Sequence, residues 1–185
     1  CFELAKRNAE VLRQLVQHVI ETWALEQPTD LCIPCLPHKV VDRALDQVLT
    51  LAEKANVLLD SAGVLPMPAV SARFYEPPRV LVNLIANGVK FTPRGGTVSV
   101  SISEENEKGI GVVRFTVRDT GIGIALEDRQ RIFREGVRLD ATAGPTESSG
   151  IGLTFCKRAI EEHSGQLRVA RTPGQRTTFS FAQPL

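Results

Sequence analysis

The chain has 185 residues, of which 43% are apolar and 23% charged, the ordinary range for one globular domain with an appendage. A formal net charge of +1 gives no basic field to hold nucleic acid, and no apolar run approaches the roughly 20 residues of a membrane span. Four cysteines in a chain of this length do not make a disulfide framework, so a reducing, cytoplasmic setting is expected. The opening Cys1-Phe2-Glu3-Leu4 shows no initiator Met and no signal-peptide pattern, and the chain reads as a piece of something longer.

Residues 2–26 carry Leu12, Leu15, Val16, Val19, Ile20 and Trp23 at three- and four-residue steps, which predicts one long amphipathic helix. It breaks at Gln27-Pro28-Thr29-Asp30, and a Pro-studded connector follows, Cys32-Ile33-Pro34-Cys35-Leu36-Pro37. A second helix is expected over 38–55, with Val41, Ala44, Leu45, Val48 and Leu51 on one face. Short strands are expected at 56–59 and 70–75. Pro77 and Pro78 then suit the first turn of a helix that ends near Phe91-Thr92-Pro93. Gly95-Gly96 leads into a period-2 strand at 97–103, and 104–111 reads as a polar hairpin loop into a strand at 112–118. A Gly-, Ser- and Thr-rich stretch covers 136–150, a helix is expected from 152 to 163, and strands at 166–171 and 177–181 close the chain. Helices mixed with antiparallel hairpin strands predict an α+β fold, a two-layer α/β sandwich with helices on one face of a mixed sheet.

Three places carry candidate chemistry. Asp119 ends a strand and is followed by Gly121 and Gly123. A carboxylate only accepts hydrogen bonds, which suits an exocyclic amine such as N6 of adenine, and the glycines let backbone approach a flat ligand. The same residues also make an ordinary strand-to-turn exit. Asn83, Asn87 and Lys90, at i, i+4 and i+7, share one helix face. A neutral amide oxygen suits Mg²⁺ beside phosphate, and a Lys supplies a point charge; the alternative is a plain solvated face. Ser149-Gly150-Ile151-Gly152 opens a helix whose free N–H groups form a ready anion site, or else is an N-cap Ser with flexible glycines. The segment before it is either filler or a lid. Cys32, Cys35 and His38 supply three ligands of the four that a structural zinc requires, so they read as connector residues.

In order along the chain, NLIANGVKFTP (83–93), RDTGIGI (118–124), RIFREGVR (131–138) and SSGIGLTFCKRAIEEHSGQL (148–167) resemble the N, G1, F and G2 boxes of the sensor histidine kinase catalytic domain. That domain is one of the GHKL ATPases and has a Bergerat-type ATP-binding fold. The resemblance assigns 1–27 to the second helix of a dimerisation hairpin, 28–37 to a connector and 38–185 to the ATP-binding domain. It implies that Asp119 takes the adenine amino group, with Gly121 and Gly123 lining the pocket. Asn87 would ligate Mg²⁺, and Asn83 stands where related ATPases place a water-activating acid. Lys90 and Arg138 would face phosphates. Phe133 would pack the lid base, and Gly150 and Gly152 would hinge the lid. Ile124, Leu153 and Thr178 join the nucleotide-binding set by the same resemblance. Three positions depart from the pattern: Gly136 replaces the second aromatic of the F box, Ser148 the first Gly of the G2 box, and Arg176 the Gly before the final Thr pair.

The implied activity is binding of Mg²⁺-ATP and transfer of its γ-phosphoryl to a His, then to a response regulator, in a homodimer built through the N-terminal helix. A rival from another class is a degenerate nucleotide-binding module that signals without phosphorylating. A third, an anti-sigma type serine kinase, usually lacks a long dimerisation helix. No His here is followed by the acid and Pro of the family's H box, and His18 is followed by Val-Ile-Glu. Incubated with labelled ATP, this chain alone is therefore expected to gain no acid-labile label. Label on His18 or His163 would overturn the helix assignment.

Overall fold

Alternating apolar and polar side chains demand a sheet with one buried face, and amphipathic helices supply the cover. The computed structural model describes residues 33–67, 69–72, 77–107, 109–134, 152–162, 165–172 and 176–184. The helix expected at 2–26, together with Arg138, Gly150 and most of the expected lid, lies outside the described residues. In chain order the elements are β1 (Ile33–Cys35), α1 (Pro37–Ala55), β2 (Leu58–Gly63), β3 (Val70–Ala72), α2 (Pro77–Phe91), β4 (Thr97–Glu107) and β5 (Ile110–Asp119). Two single turns of 3-10 helix follow, Leu126–Asp128 and Arg131–Phe133, then α3 (Gly152–Glu162), β6 (Arg168–Thr172) and β7 (Arg176–Pro184).

The main sheet has five strands in the order β2-β4-β5-β7-β6, with β2 parallel to β4 and the other pairs antiparallel. Residues directly opposite one another share a face, so Val100, Val117 and Phe179 form one inward row and Ile102, Phe115 and Phe181 the next. The Phe115 and Phe181 rings stack with centroids 5.0 Å apart. Val41, Ala44 and Val48 of α1, Leu81, Leu84 and Ile85 of α2, and Phe155, Ala159 and Ile160 of α3 belong to the same buried cluster. The alternate row, including Ser99, Ser101, Arg114, Thr116 and Ser180, is polar and less buried, so among the described residues helices cover one side only. The α+β two-layer fold read from the alternation is the observed one. No helix among the described residues is long and apolar enough to cross a membrane.

Two local expectations change. The polar stretch 104–111 is not a loop: β4 and β5 run on through it, pairing Glu104 with Val113, Glu105 with Val112 and Glu107 with Ile110. Its charges stay near water, where Arg114 pairs with Glu105 at 2.7 Å and also with Glu107, so extending the hairpin buries no lone charge. The turn shrinks to the residues around Gly109, whose φ of 87° suits glycine and whose N–H donates to Asn106 Oδ1. Within the connector, Ile33–Cys35 forms a small antiparallel ladder with Val70–Ala72, a pairing no local periodicity reveals. His38 beside it accepts the Met67 N–H at its Nδ1, 3.3 Å away.

The Phe115–Phe181 pair joins the two central strands at the middle of the core. Phe115→Ala is expected to cost about 3–5 kcal/mol in urea denaturation with an unchanged slope. A loss below about 1 kcal/mol would mean that the cavity collapses and the stack carries little.

Candidate functional site

Asp119 is the last residue of β5, 4% exposed, and lies between Val98 of β4 and Thr177 of β7. The inward row that buries Phe115 and Val117 also turns Asp119 toward the helices. Its Oδ1 accepts the Gly121 N–H at 2.8 Å. Burial pushes its carboxyl above the ordinary carboxylate value, while hydrogen bonds from the Gly121 backbone and from the backbone and hydroxyl of Thr177 pull in the opposite direction. Gly121 has no room for a side chain, since a Cβ would lie 2.5 Å from the Phe91 carbonyl oxygen and 2.6 Å from Asp119 Oδ1. Gly123 has φ 77°, the left-handed region. The strand exit therefore holds one buried carboxylate against close-packed backbone.

Helix α2 lies across this strand end. Gly88 faces the sheet: a Cβ there would meet the Val98 methyls at 3.1 and 3.2 Å and Asp119 Cβ at 3.5 Å. Its neighbour Asn87 and, one turn earlier, Asn83 are half-buried. Asn83 Nδ2 donates to the Arg79 carbonyl at 3.0 Å, and its Oδ1 fills the space where a Gly152 side chain would go, 2.8 Å from such a Cβ. Gly152 is the first residue of α3, so the free N–H groups of that helix begin beside Asn83. Lys90 stands about 10 Å along α2 from Asn83. Its Nζ lies 5.2 Å from the centroid of the Phe91 ring.

Of the residues singled out in the sequence, Asp119 and Gly121 thus lie at the end of β5 under the C-terminal half of α2, and Asn83 meets Gly152 at the start of α3, with Asn87 between them along α2. Ile124, Phe133 and Leu153 are partly buried against the same core. Thr154 Oγ1 donates to the Phe133 carbonyl at 3.2 Å, which ties the second 3-10 turn to the first turn of α3. Thr178 is not brought to Asp119. It pairs with Arg118, and in β7 the buried residues are the alternate ones, Thr177, Phe179 and Phe181. Thr177 is the residue that stands opposite Asp119. A one-residue step along a strand changes the face, so counting by twos back from Phe181 would have found it.

The family model described as "Histidine kinase-, DNA gyrase B-, and HSP90-like ATPase" matches residues 76–185. The "Non-motile and phage-resistance protein" of Caulobacter vibrioides is 35% identical over 147 residues, which cover 79% of this chain and 17% of that protein. The "Adaptive-response sensory kinase SasA" of Trichormus variabilis is 33% identical over 166 residues, 89% of this chain and 39% of that one. This chain therefore spans well under half of either relative. Among solved structures, full-length ShkA in complex with AMPPNP superposes with a TM-score of 0.72 at 25% identity, covering 96% of this chain and 36% of that one. The mycobacterial sensor histidine kinase MprB, at 24% identity and TM-score 0.67, covers 83% of this chain and 97% of its own, and shares the fold.

The raised carboxyl at Asp119 has a pH signature. With its folded value above an unfolded value of about 3.9, the native state binds more protons, so stability from the protonated form is complete below the unfolded value and lost as pH rises through the folded one. The stability of the ligand-free chain relative to Asp119→Asn is thus expected to fall as pH rises above the unfolded value of about 3.9, with other acids cancelling in the difference. Urea denaturation at several pH values measures it. A difference independent of pH would mean that the carboxyl is solvated like an exposed one.

Proposed function

This chain belongs to the histidine kinase-, DNA gyrase B- and HSP90-like ATPase family, and from that premise we propose that it is the Mg²⁺-ATP-binding catalytic domain of a sensor histidine kinase. The observation that carries the reading is Asp119, the one carboxyl buried among the described residues, held at a strand end by Gly121 and Thr177. As an acceptor without a donor it selects an amine, here N6 of adenine, and Thr177 offers a hydroxyl beside it. Close backbone at Gly121 and the left-handed turn at Gly123 suit a chain that would lie against the flat face of a base. The triphosphate then runs along α2 past Asn87 and Asn83 toward the N-terminus of α3, where unsatisfied N–H groups and the helix dipole favour anions.

The donor set fits Mg²⁺. Among the described residues no three His, Cys, Asp or Glu side chains converge on a metal cage, and Asn87 offers one neutral oxygen on the phosphate side of α2. That suits an ion whose remaining ligands are phosphate oxygens and waters, and its charge offsets that of the phosphates. Asn83, also neutral, cannot take a proton from water, so the site favours a protein acceptor over hydrolysis. In the longer protein, the bond from the γ-phosphorus to its bridging oxygen breaks as a His nitrogen bonds to phosphorus, and ADP leaves. The phosphoryl group then passes to a carboxylate of a response regulator. Catalysis is positioning plus charge neutralisation, to which Lys90 and Arg138 contribute cationic charge. Dimerisation through the helix expected at 2–26 would bring the acceptor of one protomer to the nucleotide.

Thermal melting with and without nucleotide tests the reading. ATP with Mg²⁺ at about 100 times its Kd adds about 2.7 kcal/mol, a rise in Tm of about 5–10 °C for a domain of this size. Asp119→Asn is expected to abolish the rise, and Asn87→Ala to remove its dependence on Mg²⁺. A melting point unchanged by ATP, ADP or a non-hydrolysable analogue would favour the degenerate interaction module.

A further inference from the structure

The N-terminal halves of α2 and α3 meet through contacts that include the following three. Arg79 Cζ lies 4.9 Å from the centroid of the Phe155 ring. Cys156 Sγ donates to the Val80 carbonyl at 3.7 Å. Asn83 Oδ1 occupies the space over Gly152. Arg79 takes part twice, because its carbonyl also holds the amide of Asn83. The backbone at 79 orients a candidate phosphate-side amide, and the Arg79 side chain grips the helix whose N-terminus opens beside that amide. A planar guanidinium suits this task, since it stacks on an aromatic face while its stem packs between helices. Phe155, 4% exposed, is anchored in the core, so the ring is a firm seat for the stack. None of these contacts reaches Asp119, which lies at the other end of α2 beside Gly88.

We propose that Arg79 is a positioning residue for the phosphate half of the nucleotide. Through Phe155 it sets the gap between Asn83 and the N-terminus of α3, and so the fit of the triphosphate, without touching the adenine end. The inference rests on the nucleotide reading above. It predicts a split in affinity along the ligand: the phosphate end depends on Arg79 and the base end does not.

Isothermal titration of the chain with Mg²⁺-ATP and, separately, with adenosine reads the split. Arg79→Met is expected to weaken Mg²⁺-ATP by about three- to tenfold, the range of a partly buried cation–π contact, and to leave adenosine unchanged. Arg79→Lys, which keeps a cation over the ring, should recover part of the loss. Phe155→Leu should weaken ATP similarly, and adding Arg79→Met to it should do nothing more, because the second residue acts through the first. If Phe155→Leu does not fold, Phe155→Met takes its place in the cycle. Equal losses for ATP and adenosine would overturn the proposal in favour of a general packing role. Additive losses in the double variant would overturn it in favour of a direct contact between Arg79 and phosphate. Wild-type binding of ATP with no loss in Arg79→Met would sink this inference and leave the nucleotide reading standing. Binding of neither ligand by the wild-type chain would sink that reading and this inference with it.

Discussion

At Gly88 the backbone of α2 comes so close to β4 that a methyl group would press on both Val98 methyls. A glycine in the middle of a helix costs about 1 kcal/mol against alanine, and here it permits a helix to sit directly over a strand end. Everything proposed for the site follows from that approach. It sets Asp119 directly under the C-terminal half of α2, while Asn83 in the N-terminal half meets Gly152. A bulkier residue would press on Val98 and Asp119 and lift α2 from the strand end. The same helix buries Leu81, Leu84, Ile85 and Val89, so the core that stabilises the fold is also what presses the site together.

The polar groups divide by depth. Asp119 sits deep, its charge made tolerable by hydrogen bonds from Gly121 and Thr177 but still costly, as its raised carboxyl shows. The amides of α2 are half-buried and neutral, so they would not repel the phosphate proposed there. On the far side of the sheet, Arg114 bridges Glu105 and Glu107, and Arg168 reaches Glu107 at 3.4 Å, charges kept near water where pairing is cheap. The layer arrangement thus separates a solvated charged face from a face that carries one buried carboxyl.

The α2–α3 junction links the two ends of the proposed ligand path to different structures. Asp119 is placed by strand pairing with Val98 and Thr177. The N-terminus of α3 is placed by side-chain contacts with α2, through Arg79, Val80 and Asn83. Strand ladders are stiff and side-chain contacts adapt. Base recognition and phosphate placement therefore respond differently to substitution, and the experiments above separate them on that basis.

Much of this was written in local order. The period-2 rows at 97–103 and 112–118 assign an inward face because successive side chains in a strand point opposite ways, and the helical spacing of Val80, Leu81, Leu84 and Ile85 does the same for α2. Asp119, Gly121 and the amides of α2 stood out because residue type and spacing already limit what a carboxylate, a glycine or a pair of amides can do. The choice of Thr177 over Thr178 was also available, by counting along the strand. What no window of sequence contained was distance between segments. The ladder of Ile33–Cys35 with Val70–Ala72, the depth of Asp119 and the seat of Arg79 on Phe155 each join residues remote in the chain. Periodicity determines which way a side chain faces; only packing decides what it meets there, because contact depends on how closely whole elements approach.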